Sequence, residues 1–346
     1  MKKTTEKIVK IVSIITLAAI FAGCNKKSAD AKTESKEVTI YTYDSFAGEW
    51  GPGPELPKKF EEKTGYKLNI VDCGDAVQAL SRAILEKNAV QADVIVGLDN
   101  NTSSKAINEG IIEEYKTKNS DSIPKDLFEA LQDKGNFVTP YDFSHFALIF
   151  DSKSNTTPPT SLEDLAKPEY AKKLILMDPR TSTPGLGFVA WTVSVFGDKV
   201  IDYWKSLKPS ILMMAPGWSA GYGSFTKGEA PLVISYTTSP AYHVEYGEGD
   251  ERKALIFDEG HSWQVEGAAI LKNAPNKKGA EAFIDFLTSE EGQSILPLTQ
   301  WMYPANKNVK LPESYEKAAP IPERTLIADP EKVQGAVEEI MKILSE

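Results

Sequence analysis

Apolar and polar positions follow two different periods along this chain from residue 38 onward. Short apolar or alternating segments have the pattern of strands, and the segments between them carry apolar positions at helical spacing. The pattern predicts strand, helix, strand, helix and strand at residues 38–42, 55–64, 66–71, 77–87 and 92–97, in that order. Gly65 follows the first helical segment, as is usual where a helix ends. This alternation is typical of an α/β fold with a mostly parallel sheet.

A second series of elements follows a segment that is rich in aromatic residues. Residues 136–140 and 147–150 flank a predicted loop, and residues 161–164 have the spacing of a capping box at a helix entry. The pattern then predicts a second series of alternating elements. In chain order these are residues 173–177, a helix after Pro184, residues 203–207, a strand at 211–214, residues 231–236, a strand at 264–271, a helix within 273–293 and an amphipathic helix from Pro330. Two α/β series of similar size predict two lobes with a ligand cleft between them.

The first residues have the pattern of an export signal. Lysines precede a mostly apolar segment, residues 8–21, that is too short for a membrane span. Phe21, Ala22 and Gly23 before Cys24 resemble a bacterial lipoprotein cleavage site, so we expect residues 1–23 to be removed and Cys24 to carry lipid. A plain signal peptide is the alternative. Residues 24–37 are polar and predict a flexible tether, which leaves the protein periplasmic or extracytoplasmic and anchored to the cell membrane.

Charge and cysteine content exclude several classes of partner. The formal net charge is −10, and removal of residues 1–23, with their four lysines and one glutamate, changes it to −13. Such a surface repels nucleic acid, so no nucleic-acid partner is expected. Only Cys24 and Cys73 are present, and the three histidines are scattered. We therefore expect no disulfide, no metal site and no cofactor, and we expect a monomer.

Aromatic residues gather at the predicted ends of strands and in loops far apart in sequence. They form three clusters, namely Tyr41, Tyr43 and Trp50, then Trp218, Tyr222, Tyr236 and Tyr242, and finally Trp263, Trp301 and Tyr303. Single aromatic residues at such places belong more often to a core. Several rings that converge on one cleft attract a cation, by ~0.5 to 2 kcal/mol each where water is excluded. In an acidic protein they predict a planar, positively charged organic ligand.

A second candidate site lies where the helix after Pro184 begins. Ser182 and Thr183 precede Pro184, and Gly185 and Gly187 follow it, which leaves backbone N–H groups free at a helix N-terminus. The alternative is an N-cap without a ligand. If the ligand carries a phosphate, we expect it at Ser182 and Thr183.

Residues 217–221, GWSAG, match the nucleophile elbow of serine hydrolases. Asp258 and His261 follow in the chain order of that class. Pro216 directly before the motif, and the lack of an earlier oxyanion segment, count against this reading. A serine hydrolase that uses Ser219 is nevertheless the alternative class of function.

Several long motifs carry a resemblance to a known family. They are VTIYTYDSFAGEWGPGP, ADVIVGLDNN, DPRTSTPGLG, GWSAGYGSFTKGE, ISYTTSPAYH and WMYPAN. In these motifs the chain resembles the periplasmic thiamine-binding proteins of bacterial ABC transporters. The resemblance implies a type 2 periplasmic binding protein with crossing strands between its lobes, no enzymatic activity and a membrane permease as partner. We assign residues 38–143 with 262–300 to one lobe, and 144–261 with 301–346 to the other.

The resemblance also implies a set of binding residues. The rings of thiamine would be surrounded by Tyr43, Trp50, Trp218, Tyr236, Tyr242 and Trp301. Asp75 and Ser182 would lie near a phosphate, and Ala76 stands where we expect glycine in the family, which bears on the choice among phosphate esters. Asp44 is a candidate for a carboxylate near the cation, with the capping of a turn as its alternative. Ferric iron and a polyamine are alternative ligands of the same architecture.

Overall fold

The computed structural model describes residues 35–131, 133 and 135–346. The predicted signal segment, Cys24 and most of the predicted tether lie outside the described residues, so these predictions stay predictions. Within the described part, no helix is long and apolar enough to cross a membrane.

The described chain alternates strands and helices throughout. The strands are β1 (Glu37–Thr42), β2 (Lys67–Asp72), β3 (Val94–Asp99), β4 (Ile112–Glu113), β5 (Thr139–Asp151), β6 (Leu174–Met177), β7 (Ile211–Ala215), β8 (Leu232–Tyr236), β9 (Arg252–Ala254), β10 (His261–Leu271), β11 (Tyr303–Pro304) and β12 (Thr325–Leu326). The α-helices are α1 (Asp44–Ala47), α2 (Leu56–Thr64), α3 (Ala76–Leu85), α4 (Ser103–Asn108), α5 (Lys125–Ala130), α6 (Thr183–Phe196), α7 (Val200–Leu207), α8 (Trp218–Thr226), α9 (Ser239–Glu245), α10 (Lys277–Leu287), α11 (Glu290–Gln293), α12 (Glu313–Ala318) and α13 (Pro330–Ser345).

One path of hydrogen-bonded strands runs in the order β2-β1-β3-β10-β5-β8-β6-β7. The strands at each end of this path are parallel to their neighbours, whereas β10 and β5 are antiparallel. The first part of β5 pairs with β10, and its second part, from Phe146 to Phe150, pairs with β8. The long strand β5 therefore passes from one half of the sheet to the other. The predicted α/β architecture with two lobes and crossing strands is confirmed.

The predicted loop between residues 136–140 and 147–150 is wrong, because β5 is one continuous strand of 13 residues. Pro140 suggested a break, since proline cannot donate a ladder hydrogen bond. The pairing of β5 with β10 shifts register here: Glu266 lies opposite Asp142, and Gly267 lies opposite Pro140. The irregularity accommodates the proline, and the aromatic residues of the segment belong to the strand.

Each half of the sheet has its own core. One cluster packs α6, α7 and α13 on the half that contains β6, β7 and β8, and it includes Trp191, Trp204 and Ile340. Two clusters cover the opposite faces of the half that contains β1 and β3. The predicted terminal amphipathic helix is confirmed in α13, whose Val333 faces the core. The exact division of the chain between the lobes stays a prediction.

The predicted capping box at residues 161–164 forms only in part. The N–H of Asp164 donates to Ser161 Oγ over 3.1 Å, but only a short 3-10 turn, Glu163–Ala166, follows. The capping signal is therefore local, and it does not determine how long the helix continues.

Candidate functional site

A cavity of about 580 Å³ lies between the two halves of the sheet. Among the predicted site residues, it is lined by Tyr43, Asp44, Trp50, Asp75, Ala76, Thr183, Trp218, Tyr236, Tyr242 and Trp301. Ser182 is fully buried and lies outside this lining. The predicted residues therefore meet in one place although they are distant in sequence. That they bind a ligand stays a prediction.

Tyr41 in β1 and Tyr43 directly after this strand have different surroundings. Tyr41 is buried in a core cluster, and its hydroxyl donates to Glu86 over 2.5 Å, so of the first aromatic cluster only Tyr43 and Trp50 line the cavity. Tyr43 lines the cavity, and its hydroxyl donates to Glu266 Oε2 over 2.7 Å. Tyr41 packs with residues of α3, whereas Tyr43 lies beyond the end of β1 as the N-cap of α1. Residues two apart on one strand would share a face, so the end of the strand at Thr42 separates the two rings. Burial raises the pKa of Tyr43 well above its usual value, which keeps the hydroxyl a donor.

Trp218 is the first residue of α8 and is held on two sides. Its indole Nε1–H donates to Ser235 Oγ over 2.8 Å. Its ring stacks on Tyr222 with a centroid distance of 4.9 Å and an interplanar angle of 16°. The Tyr222 hydroxyl is in turn 2.9 Å from His243 Nε2. This support fixes the Trp218 ring in the cavity wall.

Trp301 also lines the cavity, in a backbone conformation that is uncommon for a side-chain-bearing residue. Its φ of 58° is in the left-handed region, and its N–H donates to the carbonyl of Leu296 over 3.1 Å. Its ring meets the Tyr242 ring edge to face at 5.4 Å and stacks on Tyr315 at 6.3 Å. Uncommon backbone conformations concentrate at binding sites, which makes Trp301 a strong candidate.

Two other aromatic predictions have different outcomes. Trp50 stands on the loop rich in glycine and proline at the rim of the cavity, with 80% of its surface exposed. Trp263 and Tyr303 lie outside the cavity lining and pack on Phe143. The third sequence cluster thus contributes only Trp301 to the cavity wall.

Asp75 joins the N-termini of two helices. It is the N-cap of α3 with a capping box, and its Oδ1 accepts the N–H groups of Ala76 at 2.8 Å and Thr183 at 2.9 Å. Burial raises its pKa to about 6, against the opposing effect of the Thr183 N–H. The hydroxyls of Ser182 and Thr183 are buried without a hydrogen-bond partner of good geometry among the described residues. The predicted anion site at α6 is therefore occupied by a carboxylate of the chain itself.

Asp44 makes a second contact across the cleft. It lies in the first turn of α1, and its side chain and that of Ser219 in α8 line the cavity together. Burial raises the pKa of Asp44, and the neighbouring Ser219 side chain opposes the rise. Asp44 and Asp75 both reach from the half that contains β1 to helices of the other half.

The charged side chains in the described cavity wall are acidic. The lining contains the carboxylates of Asp44, Asp75, Glu248 and Glu266 and no Lys or Arg. Sequence reasoning missed Glu266, although a carboxylate within the otherwise apolar end of β10 was a visible signal. It also missed Gln300, whose Nε2 is 2.5 Å from the Tyr43 hydroxyl. A wall of aromatic rings and carboxylates is suited to a cation.

The nucleophile elbow is not assembled. His261 is fully buried, its Nδ1 lies 2.8 Å from the Phe146 carbonyl, and its Nε2 accepts the N–H of Phe257. Both ring nitrogens are thus engaged by the backbone, while Ser219 lines the cavity. No group of three or more His, Cys, Asp or Glu side chains among the described residues is placed to hold a metal ion.

Comparison with known proteins gives consistent matches. The family described as bacterial extracellular solute-binding protein matches residues 91–327. A thiamine-binding periplasmic protein of Brucella abortus is 39% identical over 330 residues, which are 94% of this chain and 95% of the relative. A solved periplasmic thiamin binding protein is 37% identical, with a TM-score of 0.82 over 90% of this chain and 96% of its own. A ferric binding protein from Campylobacter jejuni, 21% identical with a TM-score of 0.73 over 89% of this chain and 98% of its own, shares the fold alone.

Proposed function

The chain belongs to the bacterial extracellular solute-binding proteins, and within them to the thiamine-binding periplasmic proteins, and we propose that its cleft captures thiamine for a membrane permease of an ABC importer. It acts outside the cytoplasm as a binding protein and not as an enzyme. The cavity that its two lobes enclose is the ligand site.

The composition of the cavity wall carries this proposal. Tyr43, Trp218, Tyr236, Tyr242 and Trp301 line one cavity together with carboxylates, and the described lining holds no Lys or Arg. Thiamine consists of a positively charged thiazolium ring linked to an aminopyrimidine ring. Ring faces attract the thiazolium charge and stack on both flat rings, and the carboxylates neutralise the charge.

Thiamine phosphates are proposed as further ligands. Their phosphate would lie at the N-terminus of α6, where the Thr183 hydroxyl has no partner among the described residues. The Asp75 carboxylate already accepts the N–H groups of Ala76 and Thr183. A bound phosphate must displace the Asp75 carboxylate or lie beside the protonated Asp75 side chain. Free thiamine avoids this competition, so we propose it as the preferred ligand at neutral pH.

The mechanism we propose is closure of the lobes on the ligand. Contacts across the cleft, such as Asp44 with Ser219 and Asp75 with Thr183, exist only when the lobes are close. A ligand that touches both walls stabilises the closed form because the open form offers the contacts of only one wall at a time. The closed form would then dock on the permease, with lipid on Cys24 holding the monomer at the membrane.

Fluorescence titration tests the proposed function. The protein contains 6 Trp residues, and three of them, Trp50, Trp218 and Trp301, line the cavity, so ligand stacking should quench their emission. We expect saturable quenching with thiamine and none with spermidine at the same concentration. Binding of spermidine with no response to thiamine would overturn the assignment.

Ferric iron remains an alternative only if tyrosinate oxygens are available. Burial raises the pKa of Tyr43 and of Tyr236 well above the usual value, which disfavours their ionisation. We therefore expect no visible charge-transfer absorption when ferric citrate is added. The appearance of such a band would support the iron alternative.

A further inference from the structure

Glu266 is a buried carboxylate in the wall of the cavity. Only 4% of its surface is exposed, yet it belongs to the cavity lining. The pairing of β10 shifts register directly after it, between Glu266 and Gly267 opposite β5 and between Gly267 and Ala268 opposite β3. Such irregularities change the direction in which side chains point, and they are frequent beside binding sites.

Neutral groups hold this carboxylate. Its Oε2 accepts the hydroxyls of Tyr43 and Tyr141, each over 2.7 Å, and its Oε1 accepts Gln264 Nε2–H over 2.5 Å. Burial raises the pKa of Glu266, and the two tyrosine hydroxyls oppose the rise. Hydrogen bonds to an ionised oxygen favour the ionised form. None of these donors carries a positive charge, so the charge of Glu266 is solvated but not neutralised.

Asp142 lies directly opposite Glu266 across the two crossing strands. It is fully buried, and no N–H or hydroxyl of the described residues donates to either of its carboxyl oxygens. An ionised carboxylate without donors is strongly disfavoured in such a place. Burial and the neighbouring charge of Glu266 raise the pKa of Asp142 well above its usual value. Burial and pairing therefore favour the proton on Asp142 and the negative charge of the pair on Glu266.

The same network holds the aromatic rings. The Tyr236 hydroxyl donates to Gln264 Oε1 over 3.0 Å, and Gln264 donates to Glu266. Tyr43 donates to Glu266 directly. A tyrosine hydroxyl that donates to a carboxylate gains electron density, which makes its ring face more attractive to a cation. Two ring residues and the carboxylate thus act on the same region of the cavity.

We propose that Glu266 is the fixed negative charge by which this cleft selects a positively charged heterocycle, with Asp142 as a positioning residue behind it. The other lining carboxylates have local partners: Asp75 accepts helix N–H groups, Glu248 is 2.7 Å from His243 Nδ1, and Asp44 lies beside Ser219. Glu266 alone of the four is both deeply buried and held only by uncharged side chains. The proposal rests on thiamine as the ligand.

A neutral isostere separates charge from shape. In deazathiamine a carbon replaces the quaternary nitrogen, so the molecule keeps the two rings and loses the positive charge. We expect the wild-type protein to bind thiamine at least about tenfold more tightly than deazathiamine in calorimetry. In Glu266→Gln we expect thiamine affinity to fall at least about tenfold, while deazathiamine affinity changes by less than about threefold.

Two further variants complete the test. Glu113→Gln makes the same chemical change at a residue that pairs with Lys277 outside the cavity lining, and it should keep the wild-type affinity ratio. Tyr141→Phe replaces Glu266→Gln in the test if that variant does not fold. It removes one donor to Glu266 without altering the described lining, and it should lower the ratio of thiamine affinity to deazathiamine affinity. Thermal melting of each variant confirms that it is folded.

The outcomes distinguish this inference from the proposed function. Equal wild-type affinity for thiamine and deazathiamine would overturn the role of Glu266, as would a Glu266→Gln variant that loses both ligands in proportion. A wild-type protein that binds neither compound would instead overturn thiamine as the ligand.

Discussion

The N–H of Thr183 donates to Asp75 Oδ1 over 2.9 Å and thereby connects the first residue of α6 to the N-cap of α3. The other carboxylate oxygen faces the N-terminus of α8, where a Cβ added at Gly217 would lie 3.3 Å from Asp75 Oδ2. Three helix N-termini thus surround one carboxylate, and each contributes partial positive charge. The cleft carries a built anion site at this point, and its present occupant is a side chain.

The titration of Asp75 should make stability depend on pH. Its folded pKa of about 6 lies above the ordinary 3.8, so the folded state retains this proton more strongly than the unfolded state. The resulting stabilisation is complete below about pH 4 and is lost as pH rises through about 6. As pH rises between these limits, we expect the free energy of unfolding of Asp75→Asn to increase relative to that of the wild type by up to ~3 kcal/mol, at 1.36 kcal/mol per unit of pKa shift. Urea unfolding of both proteins at about pH 4 and above about pH 6 measures this difference. Parallel pH profiles of unfolding free energy for the variant and the wild type would contradict the prediction.

Removal of the Trp218 ring or the Trp301 ring should weaken thiamine binding. We expect Trp218→Ala and Trp301→Ala each to cost roughly 1 to 3 kcal/mol, the scale of an aromatic contact in a dry site. Trp50→Ala should cost less, because Trp50 is largely exposed at the rim. Calorimetry measures all three. Unchanged affinity in both cavity variants would remove these rings from the site.

Thr183→Val tests the proposed phosphate position. The hydroxyl of Thr183 is buried without a partner among the described residues, and valine keeps the shape of the side chain. We expect the affinity for thiamine monophosphate to fall by about tenfold, and the affinity for thiamine to fall much less. Fluorescence titration with both ligands provides the ratio. An equal change for both would show that the phosphate lies elsewhere.

The backbone of Trp301 predicts an unusual order of stabilities. Its φ of 58° suits glycine better than any residue with a Cβ. Trp301→Gly should therefore be more stable than Trp301→Ala by about 0.5 to 1 kcal/mol, the reverse of the usual order. Denaturant unfolding of the two variants without ligand measures the difference. A more stable alanine variant would indicate that the loop changes its conformation.

The predicted lipid anchor depends on Cys24. Cys24→Ser removes the thiol that would accept the lipid, and we expect the variant to leave the membrane fraction of expressing cells. Immunoblots of membrane and soluble fractions measure this distribution, with Cys73→Ser as the matched control. A wild-type protein that is already found in the soluble fraction would contradict the lipid anchor and favour the plain signal peptide.

The sequence by itself determined the α/β class, the two lobes and most of the elements. Period-two and helical patterns depend on local chemistry, and α13 and β6 follow them closely. The family motifs also placed the cavity rings, because Tyr43, Trp218 and Trp301 stand in long, specific segments.

Only the tertiary structure decided which side chains meet. Tyr41 and Tyr43 are two apart and look equivalent in the sequence, but β1 ends at Thr42 and Tyr43 caps α1, so one ring packs in a core and the other lines the cavity. Asp142 and Glu266 are 124 positions apart, and the register between two crossing strands makes them neighbours. Asp75 reaches α6 because the lobes approach each other. Pattern along a chain reports which face a residue occupies, whereas its partner depends on strand register and lobe packing, which are not local properties.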